Sequence, residues 1–175
     1  MNISITSAQL YTIIGQFVQA VIGTDPATSQ TVVVTRGQIN LVAMPDSAFV
    51  NMQLFTMGRL RTNVHTYTVD QQMEVEVGTK VKVRLDFYGP LAEDWSRGVT
   101  ALWRDDYGCA FLASVGAPLY DGDPMQAALV NGEEQYENRW IVEMYLQYNP
   151  VITVPQQSAT TFKVKVKNVD ETFPP

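Results

Sequence analysis

Apolar side chains recur at Leu10, Ile13, Ile14, Phe17, Val18 and Val21. This is the i, i+3, i+4, i+7 spacing of one buried helical stripe, and it predicts a helix lying flat against a sheet or another helix. Thr6 and Gln9 supply a capping-box pair at its start, and Gly23 is a natural stop. The period then changes. Residues 24–30 carry loop chemistry, Val32 to Val34 suggest a short buried strand, residues 36–47 read as an irregular connection, and a strand is expected over Phe49 to Phe55.

The sharpest alternation follows. Met73, Val75, Val77, Val81, Val83, Leu85 and Phe87 fall on odd positions, while charged residues fill most of the even ones, so one face is read as core and the other as charged. Gly78 and Thr79 keep this parity, which leaves two readings, one long bent strand or a hairpin. Gly89 and Pro90 end the run and open a second helix with Leu91, Trp95, Val99, Leu102 and Trp103 on one side, and a short third helix is expected over Asp106 to Ala113. A Gly-, Pro- and Asp-rich loop is expected from Gly116 to Pro124. Strands are then expected through Trp140, Val142, Met144, Leu146 and Tyr148, and over Val151 to Val154. Last, Phe162, Val164 and Val166 oppose Lys163, Lys165 and Lys167, the pattern of an edge strand guarded by charge. There is no internal repeat and no linker, so residues 1–175 read as a single α+β domain with a mixed or antiparallel β-sheet flanked by two or three helices.

Charge and composition narrow the picture. Charged residues make up 17% of the 175 residues, below an average soluble protein, and aromatics 10%, which fits either surfaces covered by partners or a well-packed monomer with a polar Asn, Gln and Thr surface. A net charge of −6 argues against a protein whose work is holding nucleic acid, since that affinity rests on cations neutralising phosphates. The lone Cys109 cannot form an internal disulfide, fits a reducing cytoplasm, and reads as a small buried apolar residue rather than a reactive one. The apolar stretch from Leu10 to Ile22 is broken by Thr12, Gly15, Gln16 and Gln19, so it reads as neither a signal peptide nor a membrane span.

Candidate chemistry is sparse. His65 is the only histidine, which removes the usual His and thiolate metal sets. Asp121 and Asp123 around Gly122 resemble the start of a calcium loop, but Pro124, Met125 and Gln126 do not continue it. Glu133, Glu134 and Glu137 read as a solvated acidic loop rather than an acid and base pair. There is no G-x-S-x-G elbow and no phosphate-cradling glycine loop. A non-enzymatic protein with no cofactor and no metal is expected.

Several stretches are more specific. They are Arg59-Leu60-Arg61-Thr62-Asn63 with Tyr67, Asp86-Phe87-Tyr88-Gly89-Pro90, Leu102-Trp103-Arg104-Asp105, and the run from Leu129 to Trp140. Leu146-Gln147-Tyr148-Asn149-Pro150-Val151 and the ending from Asn168 to Pro175 complete them. Taken in order from about Pro45 to the C-terminus, they resemble the neck or tail terminator family of contractile-tailed bacteriophages. The resemblance implies a small α+β virion protein that forms a ring of six subunits, caps the tail tube at the neck, ends its polymerisation, meets the head-side connector and leaves a channel through which DNA passes without specific binding. It implies tube, sheath and connector proteins as partners, a place at the top of the tail after assembly in the host cytoplasm, no membrane and no catalytic residues. Two other readings stay open, a tail completion or head-to-tail connector protein and a small-molecule-binding α+β domain.

Interface residues are expected in two polar, aromatic segments, at Arg59, Arg61, Asn63, His65 and Tyr67, and at Asn131, Glu133, Glu134, Tyr136, Glu137 and Arg139. Arg59 and Arg61 are candidates to pair with Glu133, Glu134 or Glu137 of the next subunit, or with carboxylates of their own chain. Charge reversal at Arg61 that left assembly intact would count against the first. The Pro174-Pro175 end is a further candidate contact or a plain stub.

Overall fold

A computed structural model describes residues 2–37, 47–68, 71–130, 136–156 and 163–165, with the backbone alone at 128–130 and 136–137. Strand β1 (Asn2–Ile3) precedes helix α1 (Ser7–Ile22), which begins as its sequence predicts. The Gln9 N–H donates to the Thr6 hydroxyl at 3.3 Å and the Thr6 N–H to the Gln9 side chain at 2.8 Å, so two orphan donors are satisfied reciprocally. Gly23 closes the helix with a φ of 68°, a conformation that costs a side chain strain. Thr6→Ala is expected to cost about 1 kcal/mol, read as a lowered urea midpoint at unchanged slope.

Strands β2 (Thr24–Asp25) and β3 (Gln30–Thr31) form a two-residue ribbon inside the expected loop, and β4 (Val33–Arg36) follows. Val32 is buried but Val33 is exposed, so the three valines alternate and do not form the wholly buried strand expected. Of the expected irregular connection, residues 38–46 lie outside the described ones. Strand β5 (Phe49–Arg59) then runs past Phe55, where apolar alternation gives out, because pairing with its neighbour continues to Arg59. After it come β6 (Val64–Tyr67), β7 (Gln72–Glu76) and β8 (Thr79–Tyr88). Helices α2 (Ala92–Trp103) and α3 (Asp106–Leu112) precede β9 (Ala117–Asp121), β10 (Met125–Val130), β11 (Tyr136–Tyr148) and β12 (Val151–Pro155). The expected loop from Gly116 to Pro124 therefore contains a strand, held by antiparallel pairing with β11 that its turn-rich composition hides.

The main sheet has the order β10-β11-β8-β5-β4, with β9 also on β11; β4 is parallel to β5 and the other pairs are antiparallel. Its Val81, Val83, Leu85 and Phe87, with Val50, Met52, Val142, Met144 and Leu146, face the helices and are buried. Phe17 of α1 meets Trp103 of α2 and Phe111 of α3 edge-on at centroid distances of 5.7 and 5.8 Å. The Trp103 indole N–H reaches the Tyr145 carbonyl at 3.3 Å, so its polar atom is not stranded in the core. Cys109 is exposed, contrary to expectation. In so short a helix the buried positions are Gly108 and Leu112, one stripe four residues apart, and Cys109 falls off it.

Neither sequence reading of residues 73–87 holds. β7 and β8 do not pair with each other, and each belongs to a different sheet. The second sheet has the order β1-β12-β7-β6. Three successive strands of the main sheet, β5, β8 and β11, are each joined through a short break to a strand of this distal sheet. The breaks carry residues that interrupt a ladder. Gly58 sits at a register shift with φ 134°, Gly78 offers no side chain, and Pro150 has no N–H to donate. Backbone bonds from Leu60 N to the Gly78 carbonyl (2.8 Å) and from Val77 N to the Pro150 carbonyl (3.0 Å) tie the three together at the corner. Of the expected lysine-bearing strand, residues 163–165 are not in a strand, and Phe162, Val166 and Lys167 lie outside the described residues, as do the closing prolines.

Candidate functional site

The distal sheet is one layer thick among the described residues. Registers Tyr67↔Met73, His65↔Val75, Val75↔Ile152, Met73↔Val154 and Ile3↔Ile152 place these seven side chains on one face. Met73, Val75, Ile152 and Val154 are half-buried, Ile3 is 40% exposed and Tyr67 66%. None of the seven belongs to the cluster that packs between helices and main sheet. Their parity is that of the core: odd positions continue from β8 into β7, and even positions from β11 into β12. The helices end before this part of the stripe, and an amphipathic sheet face left open in this way is a surface for a partner. The other face carries Asn2, Thr66, Glu74, Glu76 and Thr153, with Val64 and Val151 at its end beside the corner.

Five of the expected interface residues lie here. Arg59 ends β5, Arg61 and Asn63 lie in the break, and His65 and Tyr67 point from β6 onto the apolar face. Arg61 is engaged within its own chain. Its guanidinium meets Glu76 at 2.5 Å, and its stem crosses Gly78, where an added Cβ would lie 2.9 Å from Arg61 Cγ. Arg61 is exposed and Glu76 half-buried, so solvent screens the pair and Arg61→Ala is expected to cost under ~1 kcal/mol in thermal denaturation. Asn63 is half-buried, and its side-chain oxygen has no hydrogen-bond partner among the described residues. Tyr148, beside the corner at the end of β11, has its phenol pKa raised by burial and is neutral at neutral pH.

The second expected segment sits elsewhere. Asn131, Glu133 and Glu134 lie outside the described residues, and only the backbone is described at Tyr136 and Glu137. β11 pairs Tyr148 with Thr79 at the corner and Arg139 with Tyr88 at the far end. Arg59 also pairs with Thr79. Glu137 and Arg59 are thus separated by most of a strand, about 36 Å at ~3.3 Å per residue, and do not meet inside one subunit. Arg139 turns onto the helix-free face of the main sheet, where it meets Asp86 at 3.0 Å and lies 5.2 Å from the Tyr88 ring centroid. Sequence reasoning missed Ile3, Met73, Val75, Ile152 and Val154 as site residues, because their alternation reads as core.

Asp121 is taken by Arg104 at 2.8 Å, and among the described residues no group of three or more His, Cys, Asp and Glu is placed to hold a metal ion. No helix among them is long and apolar enough to cross a membrane.

A family model described as phage neck terminator protein matches residues 8–172. The chain belongs to that family. The match begins within α1, ahead of the Pro45 boundary expected from the resemblance, so the terminator family takes in α1 as well as the sheets. No curated protein matches the chain. As a member of the neck terminator family it is a structural protein of the bacteriophage tail and neck, and its partners are other tail and neck proteins.

Proposed function

We propose that six copies of this chain form a ring that caps the tail tube at the neck of a contractile-tailed phage, ends tube polymerisation and joins the tail to the head-side connector around a channel for DNA. The observation that carries the reading is the apolar face of the distal sheet, which no other described element covers, in a chain of the neck terminator family. A free monomer has no use for an amphipathic sheet with nothing on its apolar side, whereas a ring subunit covers it with a neighbour or with the tube. The expected contacts at His65 and Tyr67 lie on that face, and Arg59, Arg61 and Asn63 flank it. Tyr136, Glu137 and Arg139 belong to the opposite end of the long β11, and the segment 131–139, with Asn131, Glu133 and Glu134, is a second contact with a neighbour or the tube. The subunit is assembled in the host cytoplasm and resides at the top of the tail, with tube and sheath proteins below it and connector proteins above.

Tube polymerisation in vitro tests this. Added protein is expected to shorten the distribution of tube lengths in a concentration-dependent way. Tubes that grow equally long with and without it would remove the terminator role, and heads joined to tubes of unaltered length would assign the chain to the connector instead.

A further inference from the structure

The helix-free side of the main sheet is packed by no other helix or sheet among the described residues, and its chemistry differs from that of the distal face. Opposite the helices, among the described side chains, β8 and β11 place Lys80, Lys82, Arg84 and Arg139 against two carboxylates, Asp86 and Glu143, on a chain of net −6. Aromatic rings hold Lys80, Lys82 and Arg139 in place. The Lys80 ammonium lies 4.6 and 4.5 Å from the Tyr120 and Tyr145 centroids, whose rings stack at 4.2 Å. Lys82 lies 5.2 Å from the Phe55 centroid and meets Glu143 at 3.0 Å. Asp86, 1% exposed, is committed to Arg84 at 3.4 Å and Arg139 at 3.0 Å. Lys80 has no ion pair among the described residues.

The helical side has the opposite sign. Residues 92–123 carry six carboxylates and two guanidiniums. Arg97 is taken by Glu93 and Arg104 by Asp121, which leaves Asp94, Asp105, Asp106 and Asp123 exposed and without an ion pair among the described residues.

We propose that the cationic, aromatic face of the main sheet receives the acidic α2–α3 side of a second copy of this chain. The two signs lie on opposite sides of one two-layer subunit, so they are complementary only in a head-to-tail contact, the heterologous kind that closes into a ring. Cations already held over rings lose little freedom when a carboxylate arrives. Duplex DNA is the poorer occupant, because carboxylates are interleaved with the cations and the excess charge is small beside the several phosphate contacts that DNA affinity needs. This contact rests on the ring reading and says which surfaces meet.

The test is a charge swap, read by light scattering as the protein concentration at half-assembly, alone and with tubes. K80E/K82E and D105K/D123K are each expected to raise that concentration more than tenfold. The chain with all four substitutions, complementary again with signs exchanged, is expected to return within about threefold of the parent. Variants that assemble like the parent, or a fourfold variant that assembles no better than either pair, overturn the contact and leave the ring reading standing. A parent that never assembles, alone or with tubes, overturns the ring reading and this contact together. Retention of duplex DNA that K80E/K82E loses without any change in assembly assigns the face to nucleic acid and overturns the proposal.

Discussion

Tyr67→Asp is expected to leave the subunit folded and to abolish its assembly. Tyr67 is 66% exposed on β6 and outside the core cluster, so the substitution is expected to shift folding stability by no more than about 0.5 kcal/mol. In an assembled interface the same position places a carboxylate among Met73, Val75, Ile152 and Val154 with no Lys or Arg among the described residues of that face to receive it. Taking an unpaired charge out of water costs several kcal/mol, and even simple truncation of a central aromatic anchor costs about 2 kcal/mol or more, roughly 30-fold in each contact. An unchanged melting temperature together with loss of the assembled species in light scattering is the expected pair of readings. Ile3→Asp, on the same face and 40% exposed, is expected to reproduce it.

Trp103→Ala is expected to do the reverse, lowering stability by about 3–5 kcal/mol. Trp103 is fully buried, meets the Phe17 ring edge-on and donates to the Tyr145 carbonyl, so its removal opens a cavity between α1, α2 and β11 and leaves that carbonyl without the indole. For a chain of this size the loss corresponds to a fall in Tm of roughly 10–15 °C, measured by calorimetry. Against a total stability of about 5–15 kcal/mol, that is a large share of what holds the fold. Trp103→Phe keeps most of the volume and is expected to fall well short of that loss. The two substitutions separate the packed half of the molecule from the half that awaits a partner.

What the sequence disclosed follows the same division. α1, with its capping box and its stop at Gly23, and the stripe of α2 were legible because one local period carries each of them. β9 was not, since Ala117 to Asp121 has turn-forming composition and is a strand only through its long-range pairing with β11. The break at Gly78 was located but misread. The parity runs through it unchanged, and parity cannot distinguish one long strand from two strands that enter different sheets. A length comparison would have exposed the site: the alternating stripe from residue 72 to 88 extends for about 55 Å, while α1 and α2 are only about 24 and 18 Å long. Helices that short leave part of such a face uncovered. Arg59 to Tyr67 stood out as weakly patterned for a core, and the residues do line or flank the uncovered sheet. Their partners on it, Val75 and Ile152, carried no signal that separates an interface from a core.

Electron microscopy of the purified protein mixed with tail tubes tests the central claim most directly. The account predicts rings of the protein seated on one end of each tube, absent when Tyr67→Asp is used in its place. Tube ends that remain bare beside a persistent monomer would contradict it.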